Sequence, residues 1–251
     1  MTAMTINTKF LLWLLLLISA SFCHGSELDI QCLKSVQKSV ADPNGILKSS
    51  WKLNSSGGVS GYICGFTGVE CWSHDQNRVL SLRLSSLGLQ GPSPRGLHDC
   101  TSTIALDLSG NRFSGPIPSR IAHDAPHLSY LDLSNNGFSG EIPDSIADMV
   151  YHNVLNLEHN RLDGPIPERF NALGRLTTLS VADNLLSGSI PALLRKFPAS
   201  HFAGNQGLCG APLERPSGGR RVRGGLLLLL VLYFPRWLGL SKRLRASGLR
   251  V

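Results

Sequence analysis

One pattern recurs five times along this chain with a step of 24 or 25 residues. Segments starting at 79, 103, 128, 152 and 176 align on L-x-x-L-x-L-x-x-N-x-L-x-G-x-I-P. The second copy runs through Leu106, Leu108, Asn111, Phe113, Gly115, Ile117 and Pro118. Asn136, Asn160 and Asn184 hold the Asn slot in the next three copies. The first copy, Val79 to Pro94, has Leu87 in that slot, as expected of an atypical terminal repeat. The fourth copy opens on His152 where Leu is expected, a flaw in the core. A fixed period of this length means a stack of identical small units, each unable to bury its apolar face alone. In each copy the L-x-L pair predicts a short strand with both Leu on one face. The Asn turns inward at the strand end, where its amide satisfies backbone groups of neighbouring turns. Gly then allows a tight turn and Pro fixes φ on the far side. The fold class is an α/β solenoid. With Gly at 26 and Pro at 14, a continuous helical bundle is excluded.

The two ends differ from the repeats. Lys9 precedes the apolar run FLLWLLLLISASF, followed by small residues. This predicts a secretory signal peptide over 1–25, with the mature chain in an oxidising compartment. Residues 26–78 precede the repeats and are expected to cover their open end as an N-terminal cap. There Leu33, Val36 and Val40 have helical spacing, Asp42-Pro43-Asn44-Gly45 stops the helix, and Trp51 is a plug for the open end of the stack. The repeats are expected over 79–199, with 200–213 expected as a C-terminal cap remnant. A basic linker (214–223), an apolar segment (224–240) and a basic tail (241–251) follow.

The L-x-G-x-I-P form resembles the plant-specific leucine-rich repeat of receptor kinases and receptor-like proteins. CLKSVQKSVADPNGILKSSW, CGFTGVEC and FAGNQGLCGAPL resemble the caps of those proteins. CWSHDQNRVLSLRL (71–84) and GRLTTLSVADN (174–184) are similar to the BIR group, receptor-like pseudokinases or kinases that bind SERK co-receptors and restrain immune signalling. The resemblance covers about 27–213. It implies a right-handed leucine-rich repeat superhelix of five plant-type repeats with an N-terminal cap, and a chain that stops before any kinase domain. It also implies a Cys64–Cys71 disulfide, because these two match the cap pair. Cys209 matches a cap cysteine whose usual partner is replaced by Arg215, Pro216 and Ser217, and is expected to be unpaired or intermolecular. Cys32 and Cys100 read first as small buried hydrophobes, with a bridge between them as the alternative. Asn54, in Asn54-Ser55-Ser56, is a glycosylation acceptor.

The net charge of +7 suggests nucleic acid until it is located. Residues 215–251 carry nine Lys/Arg and no acid, whereas 26–214 carry 14 Lys/Arg against 17 Asp/Glu. The body is slightly acidic, so no nucleic-acid partner is expected. In 224–240, the unbroken apolar run from Leu226 to Phe234 is too short to span a bilayer, and extending it admits Pro235 and Arg236. A degenerate single span, an interfacial segment and a soluble tail all remain open. Localisation is therefore the secretory pathway, ending either at the plasma membrane as a single-pass protein or in the apoplast.

No phosphate loop, kinase motif or metal-ligand spacing occurs, so neither enzyme activity nor a cofactor is expected. Asp107 and Asp132 share one slot in adjacent repeats, but such residues usually just face solvent. Binding is expected on the concave strand face, at Tyr130, Asp132, Val154, Asn156, Glu158, His159, Thr178 and Ser180, where bulk, apolarity or charge departs from small polar residues. The resemblance implies a non-catalytic, receptor-type binding module for a SERK-like co-receptor at the plant cell surface, modulating immune or growth signalling. The alternative is a secreted inhibitor of cell-wall-degrading enzymes.

Overall fold

The central Leu of each copy stacks on its counterpart in the next. Leu82, Leu106, Leu131, Leu155 and Leu179 are paired in register across adjacent parallel strands, all 2% exposed or less. These strands are β2 (Gln76–Arg83), β4 (Ala105–Asp107), β6 (Tyr130–Asp132), β8 (Val154–Asn156) and β10 (Thr178–Ser180). β1 (Val69–Ser73) closes the sheet, antiparallel to β2. The computed structural model describes residues 27–53, 62–73 and 76–213. The expected leader, Asn54 and everything from 214 onward, including 224–240, lie outside the described residues. All the elements belong to the compact unit that ends at Leu213.

A second parallel sheet follows the turn in each copy: β3 (Gln90–Gly91), β5 (Arg112–Gly115), β7 (Gly137–Glu141) and β9 (Arg161–Asp163). β11 (Ser187–Ser189) pairs with β12 (Gly207–Cys209). On the convex side, short helical turns such as Asp144–Asp148 and Glu168–Ala172 follow the Pro and push Ile146 and Phe170 into the core. Phe113 stacks on Phe138, ring centroids 6.1 Å apart.

The Asn slot forms a continuous ladder. Asn136 Oδ1 accepts the Phe113 N–H at 3.0 Å, and its Nδ2 donates to Leu108 O at 2.9 Å. Asn160 and Asn184 repeat both bonds one step on, to Phe138 and Leu133 and to Leu162 and Leu157. Asn111 serves the copy that has no Asn, accepting from both Leu87 and Leu89. Asn205 adds a rung from the C-terminal cap. The residue before the Asn slot (Ser86, Gly110, Asn135, His159, Asp183) is left-handed in every copy, which in the four copies that hold an Asn lets its amide turn inward. Asn184 is fully buried, whereas Asn136 and Asn160 are only half-buried. Asn184→Ala is therefore expected to cost about 1–3 kcal/mol, through a stranded N–H and stranded carbonyls. Asn136→Ala should fall at the low end of that range. Urea denaturation of both variants checks this, and an unchanged midpoint for Asn184→Ala contradicts it.

At the N-terminal cap, α1 (27–39) buries Leu33 and Val36, and α2 (Ile46–Ser50) begins where Asp42 accepts the Ile46 and Lys48 N–H groups. Trp51 is 1% exposed, stacks on Phe66 and donates to Thr67 O. Cys64 and Cys71 form a disulfide. The reading of Cys32 and Cys100 as separate buried thiols is corrected: they form a second disulfide across 68 residues, tying α1 to the end of the first repeat. Both sulfurs are buried because the bridge lies inside the core that either residue would have filled alone. Cys209 is exposed and stands outside both disulfides.

Two buried titratable groups give opposite pH responses. Asp29 on α1 is 2% exposed, and burial pushes its carboxyl up from 3.8 to about 7, against the opposing effects of a Val79 backbone hydrogen bond and the Arg78 charge. His152 is 1% exposed; burial lowers its pKa from 6.5, opposed by the bond between Nδ1 and Leu128 O at 3.1 Å. A raised Asp pKa stabilises the fold fully below about pH 3.8, and this is lost as pH rises through about 7. A lowered His pKa stabilises it above about pH 6.5, and this is lost on acidification. Asp29→Asn should remove the alkaline loss and leave the acid one; His152→Leu, which restores the residue usual in that slot, should do the reverse. Thermal midpoints from pH 4 to 8 read both, and parallel curves for the three proteins contradict the assignment.

Candidate functional site

The concave sheet carries the predicted binding residues, and most of them bond to one another. Asp107 Oδ1 accepts the Ser109 N–H at 2.9 Å, and Asp132 Oδ1 accepts that of Ser134 at 2.9 Å. Asn156 Oδ1 does the same for Glu158 at 3.2 Å. The shared acidic slot is thus a strand-end turn device, in which a short side chain bonds its own backbone two residues on. Asp132 Oδ2 also meets the Tyr130 hydroxyl at 3.4 Å and Asn156 Nδ2 at 3.3 Å. The Arg83 guanidinium lies 5.9 Å from the centre of the Tyr130 ring and 3.0 Å from Glu70. The Ser81 hydroxyl, and then Arg83, hold the Glu70 carboxyl below its usual range despite partial desolvation. Burial, then the charges of Asp132 and Asp107, push the Tyr130 phenol up.

Ser180 does not face solvent as expected. It is 9% exposed and donates to Glu158 Oε2 at 2.6 Å, because in a stack the neighbouring copy covers a small side chain. His159 is exposed, 3.4 Å from Asp183. Thr178 is exposed and Val154 half-buried.

A different surface holds the free aromatic area. Along the edge where the strands begin runs an open groove of about 470 Å³. Trp72 and Tyr151 line it and are 50% and 49% exposed. Arg78 lies 5.8 Å from the Trp72 ring centre, and Arg175 lies 5.6 Å from that of Tyr151. His127 stands 6.4 Å from Tyr151. Ser102 anchors one end, accepting from Trp72 Nε1 at 3.1 Å and from Arg78 Nε at 2.6 Å. Arg78, Ser102, His127, Tyr151 and Arg175 occupy one slot in five successive copies, immediately before each copy's first position. Reading along each strand misses this column; reading the same slot down the repeats finds it. Among the described residues no cluster of His, Cys, Asp or Glu suits a metal ion, and no helix is long and apolar enough to cross a membrane.

A solenoid built on this repeat, with an open strand face and an aromatic edge, defines a leucine-rich repeat protein. The Leucine Rich Repeat family matches residues 102–123, 127–149, 153–173 and 175–197. A probable inactive receptor kinase of Arabidopsis thaliana is 46% identical over 207 residues, covering 82% of this chain and 34% of that protein. The chain thus spans about a third of that relative's length. The BIR2 ectodomain of Arabidopsis thaliana superposes with a TM-score of 0.70 at 46% identity, covering 74% of this chain and 96% of that one. A chain of the Arabidopsis thaliana BIR3–SERK2 complex superposes with a TM-score of 0.71 at 45% identity, covering 76% of this chain and 100% of that one. The protein belongs to the plant leucine-rich repeat receptor kinase family, and its folded body is an ectodomain of the BIR type.

Proposed function

We propose that the chain is a non-catalytic binding module that docks a SERK-type co-receptor ectodomain outside the cell and thereby modulates immune or growth signalling. The observation that carries this is the likeness, at 45% identity over 76% of this chain and all of the other, to a chain crystallised in a BIR3–SERK2 complex. The two disulfides suit an oxidising compartment. The contact centres on the edge groove, at Tyr151 and Arg175 of the column and Trp72 of β1, next to Tyr130 and Val154 on the strand face. Exposed aromatic and Arg side chains are what interfaces draw on. On the strand face, by contrast, Asp132, Asn156, Glu158 and Ser180 already satisfy one another. A module of this kind acts by occupying its partner, so its effect scales with abundance relative to that partner.

Calorimetric titration of the secreted protein against a SERK-type ectodomain should give saturable binding with a Kd of about micromolar, near −8 kcal/mol. Absence of heat at concentrations well above that, with the protein shown to be folded, overturns the reading.

A further inference from the structure

Ser102 is the odd member of the edge column. Arg78, His127, Tyr151 and Arg175 are exposed in that slot, whereas Ser102 is 8% exposed. Two side chains from the preceding strands reach it, Trp72 from β1 and Arg78 from β2. Different atoms receive them. The Ser102 backbone carbonyl accepts from Trp72 Nε1 at 3.1 Å, and its hydroxyl accepts from Arg78 Nε at 2.6 Å. The Arg78 guanidinium lies 5.8 Å from the centre of the Trp72 ring, so Trp72, Arg78 and Ser102 close on one another. The register of β1 against β2 shifts between Cys71 and Ser73, an irregularity that falls on Trp72. Such a bulge re-aims a side chain away from the plain alternation of its strand.

The structure assigns Ser102 as a positioning residue, which sets Trp72 and Arg78 as a preformed anchor so that docking extends from Tyr151 and Arg175 to the first strands of the sheet. This inference rests on the co-receptor reading and adds the device that readies one end of its groove. Serine is the shortest side chain in the column, and a residue of the size found in the other copies would occupy the place that the Arg78 guanidinium takes over it. The bond to Ser102 uses only the Nε–H of Arg78, which leaves the terminal amino groups to meet a partner. Among the described residues none of the ion pairs involves Arg78. Trp72 keeps half its surface open although its indole N–H is already bonded, so a partner can cover the ring without stranding a donor. Long side chains held before contact lose less freedom when a partner arrives, and Trp and Arg are the residues on which interfaces most often depend.

Two measurements on the full chain test this, with Ser102→Ala, which removes the hydroxyl, and Ser102→Thr, which keeps one. In the free proteins, the Arg78 Nε–H should exchange with water more slowly in the parent and in Ser102→Thr than in Ser102→Ala, as read by NMR. Equal rates overturn the positioning role. In titration against a SERK-type ectodomain, Ser102→Ala should bind about fivefold more weakly, and Ser102→Thr within about twofold of the parent. The effect passes through Arg78, so adding Ser102→Ala to Arg78→Ala should cost nothing further. Thermal midpoints should stay close to the parent's, because the hydroxyl serves an exposed side chain rather than the core. Undiminished binding by Ser102→Ala, beside a parent that binds, overturns this inference and leaves the co-receptor reading standing. A further loss in the Arg78→Ala background overturns the route through Arg78. No binding by the folded parent overturns the co-receptor reading and the anchor with it.

Discussion

Replacing Cys32 and Cys100 together by Ala is expected to destabilise the fold by about 4 kcal/mol, against about 2.5 kcal/mol for the Cys64/Cys71 pair. The difference follows from the loops closed. The first bridge joins residues 68 apart and the second residues 7 apart, so the first removes far more freedom from the unfolded chain. The Cys32–Cys100 bridge also fastens the capping helix to the first full turn of the stack. Leu33, Val36 and Trp51 cover that end, and without the cap the apolar faces beneath them would meet water. In a solenoid each copy contacts only its neighbours, so loosening one end propagates by fraying rather than stopping at a distant core. Guanidinium denaturation of the two double variants, each with the other bridge intact, measures both costs. A smaller loss for Cys32/Cys100 than for Cys64/Cys71 contradicts the argument.

What could be read from the chain divides along a physical line. Features that recur with the repeat were legible: the strand register, the inward Asn, and the Gly turn and Pro that follow it all obey one period. Features that depend on pairing across a distance were not. A buried Cys at position 32 looks like any small apolar residue on a helix, and Cys100 stands where Leu is usual, so nothing local announces their bond. Asn205 escaped because it follows Asn184 by fewer residues than a full repeat, although its amide makes the same bonds. Ser180 was placed in solvent because alternation along a strand says which face a residue takes but not what the next copy puts over it. Glu158 covers it. The edge column was missed for the opposite reason. Its members lie just outside the strand pattern, and only their common slot in successive copies brings them together.

That column yields the second large effect. Tyr151→Ala combined with Arg175→Ala is expected to weaken co-receptor binding roughly a hundredfold, about 2.7 kcal/mol. Tyr151 offers half its surface to a partner, and the Arg175 guanidinium already lies over its ring, so the pair is ordered before contact and loses little entropy on binding. Burial beneath a partner would strengthen the cation–π contact and let Arg175 meet an acidic group there. Tyr130→Ala with His159→Ala, on the strand face, should cost much less. The Tyr130 hydroxyl is engaged with Asp132, its ring lies under Arg83, and His159 is held beside Asp183. Both double variants change side chains outside the hydrophobic core, so their thermal midpoints should stay close to the parent's, separating a lost contact from a lost fold. Titration of the three proteins against one SERK-type ectodomain decides between the surfaces. A large loss for Tyr130/His159 beside a small one for Tyr151/Arg175 would return the interface to the concave strands, leaving the edge groove as solvated surface.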